Sequence, residues 1–260
     1  MEKIIDTHAH YDDEAFDSDR DEALGRLFEE SCKAVINIGC DLKNIEKTLE
    51  LTRKFPCAFA AVGIHPEFAS EVPQNFIEQL EKIASEKKVV ALGEMGLDYH
   101  YEGYSREKQI EIFEKQLVLA KKLDMPAVIH SRDATSDTLD ILRKHRPRGV
   151  VHCFSGSPEV AEEIIKLGMY ISFTGVITFR NAKKAVASCA VIPLERLMLE
   201  TDCPYMTPEP HRGQRCDSGF IPYTAAKIAE IKQMNTDELI KTCNKNAVNL
   251  FGLAKFKEMC

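Results

Sequence analysis

No stretch of this 260-residue chain is apolar for long enough to cross a bilayer, and no basic-then-apolar leader opens it. The expectation is therefore a soluble, cytoplasmic chain with no membrane partner. Nine cysteines include no Cys-x-x-Cys pair, and their number is odd. Several, Cys40, Cys153 and Cys203 among them, lie inside apolar runs, which suits reduced thiols and excludes a disulfide framework. A glycine-rich phosphate loop, a His-Glu-x-x-His helix and a Gly-x-Ser-x-Gly elbow are all missing, which removes three common hydrolytic machineries. Ser85 to Lys88 formally matches Ser-x-x-Lys but lies in a charged helix end. Positive charge is also short. With 34 basic against 41 acidic residues the net charge is −7, which argues against non-specific coating of duplex nucleic acid yet leaves room for a locally basic cleft.

What the chain does have is alternation. Short apolar runs at 3–8, 34–39, 58–64, 89–95, 127–130, 149–153, 170–174 and 197–201 read as strands. Amphipathic stretches at 20–32, 42–54, 75–86, 106–123, 135–145, 158–167, 182–189 and 222–233 read as helices. Asp41 before Leu42, Ser105 before Arg106 and Ser157-Pro158 are suitable helix starts. Strands that are continuously apolar point to a parallel sheet buried on both faces. Eight such strands with right-handed crossovers close most simply into a barrel. The predicted fold is α/β: a single (β/α)8 TIM-type barrel over residues 1–260, with an extra C-terminal helix at 236–251 packed beneath it.

Catalytic residues of such barrels gather at the C-terminal ends of the strands. His8-Ala9-His10 ends the first strand, and alternate side chains of a strand share a face, so these two imidazoles project together. That pair alone is an even balance between a metal site and chance. The other strand ends shift the balance: His65 follows strand three, Glu94 and Asp98 end strand four, His130 strand five, His152 strand six and Asp202 strand eight. Five of the eight histidines thus fall at strand ends, and their convergence on one rim points to a metal site.

These residues sit in motifs with a family likeness. Asp6-Thr7-His8-Ala9-His10, Gly63-Ile64-His65-Pro66, Gly93-Glu94-Met95-Gly96-Leu97-Asp98-Tyr99, Val128-Ile129-His130-Ser131-Arg132-Asp133-Ala134, His152-Cys153-Phe154-Ser155-Gly156 and Glu200-Thr201-Asp202-Cys203-Pro204-Tyr205 resemble, in order, the TatD-family metal-dependent deoxyribonucleases. The likeness continues to Asn249-Leu250-Phe251-Gly252. It implies a (β/α)8 hydrolase with two divalent metal ions held by His8, His10, Glu94, His130, His152 and Asp202. In that scheme His8, His10 and Asp202 hold one ion, His130 and His152 the other, and Glu94 bridges them. Asp202 takes the proton of the attacking water. The implied activity is hydrolysis of DNA at strand ends, from the 3′ side, by a monomer. The ions are Mg²⁺, Mn²⁺ or Zn²⁺, with imidazoles favouring the softer two. An ester, lactone or aminoacyl-tRNA hydrolase on the same site is the alternative.

Other rim residues bear on substrate. His65, Arg132 and Arg212 are candidate substrate-binding residues, and Arg180 and Arg215 could join a phosphate patch or be ordinary solvated arginines. Tyr99, Tyr101, Phe154, Phe179 and Tyr205 could stack bases, although loop packing is the expectation for most of them. Glu200 shares a face with Asp202 and, buried, needs a hydrogen-bonding partner. Cys153 is expected to point away from His152 as a core thiol. Cys216 stands where the family tends to carry asparagine, which puts the hydrogen bonding of its loop in doubt.

Overall fold

The computed structural model describes residues 2–256. Its strands are β1 Ile4–Ala9, β2 Cys32–Gly39, β3 Ala58–Val62, β4 Val89–Asp98, β5 Ala127–Arg132, β6 Gly149–Val151, β7 Tyr170–Phe173 and β8 Leu197–Leu199. Each pairs in parallel with the next, in chain order. The ring closes just past the end of β8. There the Asp202 N–H donates to the His8 carbonyl at 2.9 Å, and the His10 N–H to the Cys203 carbonyl at 2.8 Å. Between the strands lie α1 Arg20–Glu30, α2 Ile45–Lys54, α3 Phe76–Ala84, α4 Arg106–Lys122, α5 Thr135–His145, α6 Pro158–Lys166, α7 Lys183–Val191 and α8 Ile221–Lys232, followed by α9 Thr236–Phe251. The expected (β/α)8 barrel with its additional helix is what forms.

The continuous apolar runs have a packing cause, because each strand is covered on two sides. One set of side chains, including Ile36, Ile38, Phe59, Val128 and Met198, fills the barrel interior. The alternate set, including Val62, Leu92, Ile129, Val151 and Leu199, meets the helices. Full burial of one such side chain contributes roughly 1.5–3 kcal/mol. Local signals fix the ends of several helices. Ser105 accepts from the Lys108 N–H at 3.2 Å to open α4. Asn235 caps α9 through the N–H groups of Asp237 and Glu238, and Gly252, with φ +65°, closes it. α9 sits under the barrel: the Asn244 side chain accepts from Ile5 N–H at 2.9 Å and donates to the Lys3 carbonyl at 2.8 Å. Ala247, Leu250 and Phe251 join the interior cluster.

Some boundaries differ from the sequence reading in ways that matter to the rim. β4 runs on to Asp98, so Glu94 is an inner strand residue and not its end. β6 stops at Val151 and β8 at Leu199, so His152 and Asp202 lie just beyond regular strand. The backbone there leaves the extended conformation, with φ +45° at Cys153 and +61° at Asp202. α2 starts at Ile45 and not Leu42, because the Asp41 carboxylate draws the Lys43 and Asn44 N–H groups into a preceding turn.

Close approach of the backbone requires glycine at position 96. Gly96 (φ +155°) pairs with His130 across β4 and β5, and a Cβ there falls 1.9 Å from the His130 carbonyl oxygen. Gly96→Ala is therefore expected to destabilise the protein by roughly 1–3 kcal/mol through overpacking. Chemical unfolding checks this, and unchanged stability contradicts it.

Candidate metal centre

Six side chains carried on, or just beyond, five different strands meet at the C-terminal mouth of the barrel. His8 projects from β1 with His10 two residues on, and their Nε2 atoms lie 3.2 Å apart. Asp202 Oδ1 is 3.5 Å from His8 Nε2 and 3.3 Å from His10 Nε2. On the other side His130 Nδ1 and His152 Nε2 are 3.3 Å apart. Glu94 stands between the two groups. Its Oε2 faces His8 Nε2 at 3.4 Å, while its Oε1 faces His130 Nδ1 at 2.7 Å and His152 Nε2 at 2.6 Å.

These spacings fit a cation better than they fit hydrogen bonds alone. Two ring nitrogens bonded tetrahedrally to one ion at about 2.0–2.1 Å sit about 3.3 Å apart. The His8–His10, His10–Asp202 and His130–His152 separations are edges of that size. Lone pairs crowded at such range in a buried pocket repel one another unless something positive lies among them. His8, Glu94 and His152 are all buried, and the His8 and His152 rings stack 3.9 Å apart and nearly parallel. His8, His10 and Glu94 form one trio able to hold an ion; Glu94, His130 and His152 form another. The other two trios are less free. Glu200, in reach of His8 and His152, spends both oxygens elsewhere. His65, in reach of Asp98 and His130, already takes the Glu67 N–H on its Nδ1 at 3.2 Å.

The electrostatics follow from crowding. Burial works against charge on Glu94, yet His152, His65 and His8 around it hold its carboxyl well below the usual carboxylate range. Asp202 is also held low despite burial, through His10 and His8. Burial, with the neighbouring His152, pushes His8 down to about 4, leaving a neutral ring, which is the ligating form. His65 is pushed down to about 4 by burial. His130 goes the other way: burial opposes its charge, but hydrogen bonds to Asp98 and Glu94 lift it to about 9. A cation must displace that proton, so metal uptake near pH 7 is expected to release protons, and affinity to rise as pH approaches about 9. Calorimetry in buffers of different ionisation enthalpy measures the release; its absence contradicts the assignment of His130.

Support for the cluster comes from residues that the sequence motifs contained without revealing their roles. Asp98 Oδ2 lies 3.1 Å from His130 Nε2, fixing the ring so that Nδ1 faces Glu94. The signal was present, since residues 94, 96 and 98 of a strand share a face. Asp98→Asn is expected to weaken metal binding by about 10–100-fold, read by competition with a chelating dye. Asp6, fully buried, binds the seam between β1 and the end of β8. Its Oδ1 accepts from the N–H groups of His8 (3.2 Å) and Thr201 (3.1 Å), and its Oδ2 from the hydroxyls of Thr201 (2.7 Å) and Ser218 (2.6 Å). Glu200 is buried as expected, and its partners are the Cys153 N–H at 2.5 Å and the Ser172 hydroxyl at 2.6 Å. Its distance to His152 Nδ1, 3.7 Å, is beyond a hydrogen bond.

A cavity of about 620 Å³ opens above the cluster, lined by His10, Glu94, His130, His152 and Asp202. His65 and Arg132 also line it. Arg212 does not: its guanidinium carbon lies 3.8 Å from the centre of the Phe179 ring. Arg215 is tied down by two 2.6 Å hydrogen bonds to Asp19. Cys153 corrects the sequence reading. Its positive φ breaks the alternation of the strand, and it lines the cavity instead of the core. Burial pushes its thiol well up. Cys40 also lines the cavity, with Sγ 3.9 Å from Glu94 Oε2. Cys216 is buried in the same apolar cluster as Tyr11 and Cys203, and Thr207 holds its loop through the Gln214 carbonyl at 2.7 Å.

Comparison with known proteins identifies the family. A family model described as TatD related DNase matches residues 5–252. YabD of Bacillus subtilis, described as an uncharacterized metal-dependent hydrolase, is 39% identical over 253 residues, covering 96% of this chain and 99% of its own. YcfH of Escherichia coli K12, described in the same words, is 34% identical over 256 residues and covers 96% of each. The crystal structure of YjjV, a TatD homologue from Escherichia coli K12, matches with a TM-score of 0.90 at 32% identity, covering 96% of this chain and 98% of that one. Among the described residues no helix is long and apolar enough to cross a membrane. The chain belongs to the TatD-related DNase family and is a metal-dependent hydrolase.

Proposed function

We propose that the protein hydrolyses phosphodiester bonds at DNA strand ends, working from the 3′ end, with two divalent ions held by His8, His10, Glu94, His130, His152 and Asp202. The observation that carries this reading is the stance of Glu94, whose two carboxylate oxygens face different groups of ligands. A bridging carboxylate is the usual link of a paired-ion site, and paired ions supply an activated water and neutralise the two oxygens of an in-line displacement. With Glu94 and Asp202 as the charged ligands, two divalent ions leave the centre near +2, which suits an anionic substrate on a protein of net charge −7.

The chain's own groups then have separable tasks. His10 and His8 hold Asp202 Oδ1, leaving its other oxygen to accept the proton of the attacking water. Asp98 keeps the His130 ring in place. Arg132, exposed on the cavity wall, meets a non-bridging phosphate oxygen. The His65 ring, with Nδ1 engaged, presents its Nε2 toward Glu94 at 3.8 Å, where it can donate to substrate phosphate.

An ester, lactone or aminoacyl-tRNA hydrolase could use the same centre, so the test compares the classes directly. Purified protein with Mn²⁺ or Mg²⁺ is expected to shorten 3′-extended, end-labelled single-stranded DNA and to leave p-nitrophenyl acetate untouched. Turnover of the neutral ester without cleavage of the oligonucleotide overturns the proposal.

A further inference from the structure

Six large apolar side chains are exposed among the described residues, and three of them, Tyr101, Tyr205 and Met206, line the mouth of the cavity above the cluster. Chance placement over the surface does not favour such a concentration, and exposed apolar groups gathered at a cleft mark a binding surface. Tyr101 lies on the loop between β4 and α4, and Tyr205 follows β8, so the two come from far-separated strands of the ring. Both rings stand more than half exposed, at 54% and 56%.

Tyr205 is held by its hydroxyl edge, whereas Tyr101 also meets the His100 ring, T-shaped with centres 4.9 Å apart, and keeps more than half of its surface exposed. The Tyr205 hydroxyl donates to Asp13 Oδ2 at 3.0 Å. The Tyr101 hydroxyl accepts from Arg132 Nη1 at 3.5 Å, and the Arg132 guanidinium lies 5.2 Å from the ring centre. Tyr101 thus couples an aromatic face to a cation on the wall where a phosphate is expected. The remaining aromatic candidates do not line the cavity: Tyr99 and Phe179 are covered more closely, by Arg106 at 4.3 Å and Arg212 at 3.8 Å from their ring centres, and Phe154 is buried.

We propose that Tyr101 and Tyr205 form a stacking subsite for an unpaired nucleobase next to the scissile phosphodiester. A flat aromatic ring beside an anion matches an aromatic face beside a guanidinium, and about 620 Å³ is room for a nucleotide. In a duplex the faces of an internal base are covered by its neighbours, so this subsite accepts frayed or single-stranded ends. Stacking tolerates any base, so the subsite selects strandedness and not sequence. This inference rests on the nuclease reading above, and its test separates the two.

Single-stranded oligonucleotides ending either in a normal nucleotide or in an abasic tetrahydrofuran residue are offered to wild type, Tyr101→Ala, Tyr205→Ala and the two Phe variants. Wild type is expected to favour the base-bearing end by about tenfold, chiefly in KM. The Ala variants lose that preference and the Phe variants keep it. Equal cleavage of both ends by wild type, or an Ala variant that lowers both equally, overturns the subsite. Fluorescence anisotropy of the same oligonucleotides with chelator present gives a readout free of turnover. Base-dependent binding without cleavage retains the subsite and sinks the nuclease reading; binding that ignores the base sinks the subsite itself.

Discussion

Glu94→Gln is expected to empty the centre of both ions and to lower hydrolysis by about three powers of ten or more. The substitution keeps size and shape, so folding is not the cause. What changes is that a neutral amide replaces the carboxylate lying within 2.6–3.4 Å of His152, His130 and His8. One ligand is then lost to each group of donors at once. Several kcal/mol of transition-state stabilisation by metal ions disappear with it, and each 1.36 kcal/mol is a factor of ten in rate. Elemental analysis of the purified variant, together with its circular dichroism, checks the result. A folded variant retaining both ions contradicts the bridging role.

Asp202→Asn separates chemistry from metal binding. Asn still offers an oxygen to the ion near His8 and His10 but cannot take a proton. Most of the metal is expected to remain while kcat falls by about 10²–10⁴-fold, the usual worth of a general base. Undiminished kcat with full metal occupancy removes Asp202 from the proton transfer and leaves it only as a ligand.

The six candidate donors were legible as a group because the properties that place them are local. Strand alternation put His8 and His10 on one face, and the barrel rule then directed every strand end to the same rim. Their convergence across the β8–β1 seam is a long-range contact that no spacing within the sequence displays. Asp6 was invisible in its role for that reason, as the hydrogen bonds it accepts span up to 212 residues of separation. Alternation also misled at Cys153, because it presumes extended backbone and φ there is positive. Arg212 was placed by its loop, but loop composition does not tell whether a guanidinium faces a cavity or stacks on a neighbouring ring such as Phe179. Asp98 lies four residues from Glu94 on the same strand face, and that parity was the available clue.

The most direct measurement of the central claim is the number and position of metal ions in the purified protein, by elemental analysis and anomalous diffraction from crystals. Two ions per chain are expected, one among His8, His10 and Asp202 and one between His130 and His152, with Glu94 touching both. A single ion, or a second one seated at His65 and Asp98 away from Glu94, contradicts the account.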